Sequence, residues 1–435
     1  MSGDRRQPVV TGAGILTAIA ADLPGFTEAI RAGRSGIGFA DRPGEPAALG
    51  AELRDFDFPA ALEALAAATA RADPADRDGA GEQALDRARR IARRAPLSVQ
   101  ASVVVALEAW AQAGLHRDPV TPDRVSIVVA GNNLAGRYGD EMSRRFDQAP
   151  GFVRPTYALQ HQDSNHVGVV SEVLPIAGEG NTVGAASASG GVAIAQAVRT
   201  IAADAADVCV VIGALSDLGA AQRTSYLNLG AMAAGSKDRP AAGQSRPFDA
   251  GRAGFVAGQG AACVILESAG SARRRGAEPL AAILGQAVRL DGNHSADPSR
   301  TGEVGVMTAA LATAGLSAGE VDYVNAHGTG SPLGDDTEAA ALAEVFDGHT
   351  DRVWVNATKA LTGHCLSSAG VVEAVATIAQ LRGGFVHPNP NLDRPIAALR
   401  FAGSAAVAAD LGVGLSNSFG FGGFNACLVI GQVAW

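Results

Sequence analysis

The sequence predicts an α/β protein built from two related halves, and three observations lead there. Short apolar runs alternate with amphipathic helical runs along all 435 residues. Apolar residues make up 47% of the chain and charged residues 18%, the balance of a large buried core. A strand ending in small residues that leads into a small-residue helix occurs once in each half, which marks an internal duplication.

The elements follow in order. Val9-Val10-Thr-Gly12-Ala-Gly14 reads as a first core strand entering a tight turn. Residues 66–81, rich in Ala, Asp and Arg, read as an exposed helix or loop. Helical spacing is clear over 99–113, and the run Val-Ser-Ile-Val-Val-Ala at 125–130, closed by Gly131, is a buried strand. A strand over 182–187 passes into a helix over 190–203, and strands follow over 207–213 and 261–267. The polar stretch Ala269-Gly-Ser-Ala-Arg-Arg-Arg-Gly276 suits a crossing between halves, so the division is 1–267 and 268–435. The second half carries a helix over 304–314, strands over 321–326 and 353–356, a helix over 368–381 and a last strand over 425–431.

Composition excludes several function classes. A net charge of −9 argues against sequence-independent nucleic-acid binding, which needs a cationic surface. An acidic partner would have to use a local basic patch, and two stretches qualify: Arg87, Arg89, Arg90, Arg93 and Arg94, and the pair Arg144-Arg145. A solvated helix face explains them equally well. Cys209, Cys263, Cys365 and Cys427 show neither a C-x-x-C pair nor short disulfide spacing, which points to a reducing cytoplasm. Arg5-Arg6 before an apolar run resembles an export signal, but Pro8, Gly12 and Gly14 break the run, and none reaches the roughly 18 apolar residues of a membrane span. The histidines show no metal spacing, and no phosphate-binding glycine loop is present.

The chemistry concentrates in three segments. Ser187, in Asn181-Thr-Val-Gly-Ala-Ala-Ser187-Ala-Ser-Gly-Gly191, stands where a strand meets a helix. Unpaired backbone N–H groups there can hold an anion or a carbonyl oxygen, and a serine can equally be a plain helix N-cap. His327, in Asn325-Ala-His327-Gly-Thr-Gly-Ser331-Pro-Leu-Gly-Asp335, ends a strand, where α/β proteins usually place chemistry. Lys359 and His364, in Asn356-Ala-Thr-Lys359-Ala-Leu-Thr-Gly-His364, form the third segment. Asp335 and Glu338 are candidates to pair with the Lys359 ammonium, with helix capping as the alternative for Glu338. Cys365 is expected to be an inert core residue.

These segments resemble the active-site and histidine motifs of β-ketoacyl synthases, in the thiolase-like superfamily. Val9-Val-Thr-Gly-Ala-Gly-Ile-Leu-Thr17, Arg246-Pro-Phe-Asp249 with Arg252-Ala-Gly-Phe-Val-Ala-Gly-Gln-Gly260, and Ser416-Asn-Ser-Phe-Gly-Phe421-Gly-Gly-Phe-Asn425 are similar to that family's opening, middle and closing segments. The resemblance implies a duplicated five-layer αβαβα fold, a homodimer, and action on acyl carrier protein thioesters. It also implies pantetheine contacts at Thr329 and Ser331, an oxyanion or gating role for Phe421, and no cofactor beyond the phosphopantetheine that the carrier brings.

Three positions depart from the family pattern. Ser187 stands in place of the cysteine nucleophile, Gln259 in place of a glutamate, and Phe424 in place of a smaller residue or histidine. With the run from His161 to Ser187, the chain looks most like the serine-variant malonyl-carrier decarboxylases of polyketide β-branching cassettes. Those feed a hydroxymethylglutaryl synthase-like partner. A cysteine offers some thiolate near neutral pH, whereas a serine needs a dedicated base. Decarboxylation needs no nucleophile, only donors for the enolate oxygen, each worth about 2.7–4 kcal/mol in acyl-transfer sites. Two other readings stand beside it: a serine acyltransferase, and a non-catalytic subunit of the chain-length-factor type.

Overall fold

The computed structural model describes residues 6–40, 48–72 and 79–433. Arg5, and residues 73–78 of the stretch expected to be an exposed helix or loop, lie outside them. Residues 66–72 and 80–81 of that stretch belong to the helices Phe58–Ala72 and Ala80–Ile91, the second preceded by Gly79.

The duplication is visible in the strand order. The first half holds Pro8–Thr17, Val125–Ala130, Gly180–Val183, Val208–Gly213 and Gly260–Ser268. Counted along the chain, they lie side by side as third, second, fourth, fifth, first. The second half holds Ala281–Leu290, Tyr323–Asn325, Trp354–Asn356, Val413–Gly420 and Phe424–Gly431, in the same spatial order, with Arg400–Phe401 added at its outer edge. In both halves the second strand is parallel to the third and fourth, while the fifth is antiparallel to the fourth and first. The halves join in one sheet through two residue pairs, Val9 with Ala282 and Val10 with Ala281.

Helices complete five layers. Leu97–Gln112 covers the outer face of the first half with an aliphatic surface that includes Val103, Val105 and Ala109. Arg300–Ala314 and Pro332–Val345 cover the outer face of the second. Ser189–Ala202 and Ala369–Gly383 fill the middle, and every side chain from Ala369 to Leu381 is buried. A helix buried all round must be apolar all round, and this one is except for Glu373, Thr377 and Gln380. The two central helices touch backbone to backbone. A Cβ on Gly190 would fall 2.6 Å from the Val371 nitrogen, and one on Gly370 would fall 2.5 Å from the Gly191 nitrogen.

Most strands and helices lie within a few residues of the expected spans. The stretch 269–276 is a finding: it forms the helix Ala269–Arg275, capped by Ser268 and ended by left-handed Gly276. From it Arg275 turns inward onto buried Glu267, Nε to Oε1 at 2.9 Å.

Candidate active site

The chain reaches Ser187 through a sharp turn. After Gly180–Val183 the backbone passes Ala186 at φ 47°, a left-handed conformation that costs an alanine of order 1 kcal/mol or more. Ser187 is not the helix cap. The hydroxyl of Ser189 accepts from the Ala185 N–H at 2.8 Å and donates to the Ala186 carbonyl at 2.6 Å. The Ser187 hydroxyl is thereby left to face a cavity of about 540 Å³.

His364 faces it from the second half. Gly363 lies at φ 66°, and a Cβ on it would fall 3.1 Å from the Ala257 carbonyl oxygen and the Gly258 Cα, so the histidine enters through a turn that a side chain would strain. The His364 N–H donates to the Val256 carbonyl at 2.7 Å, and its carbonyl accepts from Gly258 at 2.8 Å. Its Nε2 lies 2.8 Å from Ser187 Oγ, and its Nδ1 accepts the Leu366 N–H at 3.2 Å. An Nδ1 that accepts leaves the proton on Nε2.

The same logic assigns His327. Lys359 Nζ, which has only protons to offer, lies 3.3 Å from His327 Nδ1 and 2.6 Å from its carbonyl oxygen. His327 therefore also carries its proton on Nε2. The two rings stand edge to face, 5.5 Å between centroids. Burial first, and then the Lys359 charge, hold both imidazoles well below the ordinary histidine range, so both are neutral donors.

Glu338 is not the counter-ion of Lys359. Lys359 Nζ pairs with the carboxylate of Glu373, both side chains 2% exposed. Glu338 instead clamps the turn that carries His327: one oxygen accepts the His327 N–H and the other the Gly328 N–H, each at 2.7 Å. Asn417 donates to the same carboxylate at 3.2 Å. Asp335 does not pair with Lys359 either; it accepts from Phe248 at 2.7 Å and Gly330 at 3.0 Å. Burial raises the pKa of both acids, that of Asp335 to about 7. Glu373 was missed, although a lone acid in the apolar run Ala369-Gly-Val-Val-Glu373-Ala-Val is the sequence mark of a buried ion pair.

The remaining candidates fall around the same cavity. Thr329 and Ser331 line it and share a hydrogen bond of 2.9 Å between their hydroxyls. Phe421 sits 39% exposed in the hairpin after Val413–Gly420, its ring 6.5 Å from that of Tyr226. Phe424, at the other side of that hairpin, packs with Ala185, Ala188 and Ala426. Gln259 is buried and donates to Asp217 at 3.0 Å, where a glutamate would set two carboxylates together. All four cysteines are buried thiols, and burial pushes Cys365 up to about 12. Arg87 and Arg89 of the first basic stretch bond to the Val173 carbonyl and Asp86, and Arg145 pairs with Glu141. Among the described residues, no cluster of His, Cys, Asp or Glu could hold a metal ion, and no helix is long and apolar enough to cross a membrane.

Comparison with known proteins identifies the family and agrees with the fold. Residues 6–272 match the β-ketoacyl synthase N-terminal domain, and residues 280–393 match the C-terminal domain of the same family. The chain belongs to the β-ketoacyl synthase family. Within that family, it is 33% identical over 429 residues to the polyketide biosynthesis malonyl-ACP decarboxylase PksF of Bacillus subtilis, covering 98% of this chain and 96% of the relative. It is also 30% identical over 445 residues to 3-oxoacyl-[acyl-carrier-protein] synthase 2 of Coxiella burnetii, covering 99% of each. Among solved structures, a β-ketoacyl synthase from Burkholderia phymatum superposes with a TM-score of 0.84 at 27% identity, over 98% of this chain and all of the other. The ishigamide ketosynthase/chain length factor gives 0.83 at 25% identity, over 99% and 100%. This member of the family thus has the thiolase-like five-layer fold, and it carries Ser187 just before a central helix.

Proposed function

We propose that this enzyme decarboxylates malonyl-acyl carrier protein to acetyl-acyl carrier protein. The observation that carries the proposal lies at Nδ1 of the two rings: the Leu366 N–H meets His364 and the Lys359 ammonium meets His327, which assigns the proton of each neutral ring to Nε2. Such a pair can donate to one thioester oxygen. As carbon dioxide leaves, the electrons of the broken bond form an enolate, and the two donors meet the charge that develops on its oxygen. Neither imidazole has to change protonation state.

The hydroxyl of Ser187, 2.8 Å from His364, is what favours a serine acyltransferase instead. That reading needs His364 to accept the serine proton, yet its Nε2 already bears one and its Nδ1 is engaged by Leu366. The likeness to PksF adds weight to decarboxylation, while the likeness to condensing synthases comes without their thiol nucleophile at Ser187.

In this reading Thr329 and Ser331 hold the pantetheine arm, Phe421 gates its entry, and Lys359 and Glu338 position His327. The carrier protein is the partner, the phosphopantetheine arrives on it, and the enzyme works as a homodimer. The acetyl-carrier passes to a hydroxymethylglutaryl synthase-like enzyme in polyketide β-branching. The test is incubation with malonyl-carrier protein and mass measurement of both proteins. Acetyl on the carrier and no acyl on Ser187 is the expected result. A carrier that stays malonylated beside an acylated Ser187 would overturn it.

A further inference from the structure

One deeply buried acid in the cavity, Glu303, is unaccounted for by the histidine pair and its supports. Glu303 lies in the first turn of Arg300–Ala314, one turn before Met307, whose sulfur lies 3.4 Å from the Asn417 amide that also reaches Glu338. It is 1% exposed, lines the same cavity as His327 and Glu338, and its Oε2 has no hydrogen-bond partner. A carboxylate in a first helical turn gains far less from the helix dipole than burial without a counter-ion costs it. The charges acting on it come from Glu338, Asp291 and Asp335, all acids. Burial and those neighbours push Glu303 up to about 10, so at neutral pH it is a carboxylic acid with a proton to give.

The decarboxylation proposed above leaves an enolate that must gain one proton at carbon. The two histidines and the other two deeply buried acids beside Glu303 are committed: Asp335 and Glu338 each accept two backbone N–H groups, which favour the ionised form. His327 and His364 hold the enolate oxygen, and Lys359 holds the His327 turn and Glu373.

We infer that Glu303 is the acid that protonates the enolate carbon. In that step the carbon–carbonyl π electrons form the new C–H bond, the Glu303 O–H breaks, and acetyl-carrier is released from a transient carboxylate. Water entering the emptied cavity returns the proton to Glu303. Overall, malonyl-carrier and one solvent proton give acetyl-carrier and carbon dioxide.

The inference rests on the decarboxylase reading, and the test separates the two. Glu303→Gln matches the neutral acid in shape but lacks its acidic proton. Its enolate should survive long enough to recapture carbon dioxide. With labelled carbon dioxide, exchange into the remaining malonyl-carrier should rise relative to acetyl formation by about 10²-fold over wild type, the scale of general acid catalysis. Glu303→Asp, which keeps an acid, should fall between them, and it serves alone if the glutamine variant fails to fold. A wild-type exchange ratio in Glu303→Gln, or acetyl formation and exchange falling together, overturns the role of Glu303 and leaves decarboxylation standing. A wild-type enzyme that makes no acetyl-carrier overturns both.

Discussion

Leu366 donates its backbone N–H to His364 Nδ1 at 3.2 Å, and that bond decides which imidazole nitrogen presents a proton to Ser187. Lys359 does the same for His327. The centre is therefore a pair of fixed N–H donors, set by one backbone N–H and one buried ammonium.

Removing either donor should lower the single-turnover decarboxylation rate by roughly two to three orders of magnitude, with little change in carrier binding. Because both serve one oxygen, the double variant should lose less than the product of the single losses. Rapid-quench measurements on His327→Ala, His364→Ala and the double variant decide this. Near-wild-type rates in a single variant would exclude that histidine.

Ser187→Ala should keep part of the activity, because the hydroxyl is neither nucleophile nor base in this scheme. Ser187→Cys should take up one equivalent of iodoacetamide, since a thiolate there faces the His364 N–H and a helix N-terminus. The wild type, with its four thiols buried, should take up none under the same conditions. Mass spectrometry reads both, and an unlabelled cysteine variant would contradict the site geometry.

Lys359→Met should destabilise the fold by about 3–5 kcal/mol, because it leaves Glu373 buried without its cation. Replacing both, Lys359→Met with Glu373→Met, should restore most of that loss without restoring activity. Denaturant titrations of the three proteins test the pairing, and a double variant as unstable as the single one would count against it.

His166 supplies the pH test. Burial lowers this ring from about 6.5 to about 4, and its Nδ1 meets the Ser102 hydroxyl at 2.9 Å. A folded pKa below the unfolded one gives stability that is complete above about 6.5 and lost as pH falls toward 4, by about 1.4 kcal/mol per pH unit. The wild type should therefore lose its advantage over His166→Gln across that window. Parallel stability curves for the two proteins would mean the ring is not held neutral.

The fold was legible because burial leaves a strong mark on sequence. The run at Val125–Ala130 and the repeat around Ser187 and His364 gave elements and duplication together. The histidines were legible because motif spacing is local. Partnerships were not. Glu338 lies 21 residues before Lys359 and Glu373 lies 14 after it, and spacing alone does not choose between them, since which acid meets the ammonium depends on how Pro332–Val345 and Ala369–Gly383 pack. The Ser187 cap ambiguity was equally local in appearance and was settled by a rival hydroxyl two residues on.

The repeated strand order also bears on how such a centre could have arisen. Ser187 and His364 occupy corresponding places, each after the third strand of its half and before a central helix. Two identical halves associating about a twofold axis would put the same residue at both places. A hydroxyl facing an imidazole across that axis requires copies that can change separately. Carrying both places in one polypeptide removes that constraint, so a serine stands at one and a histidine at the other.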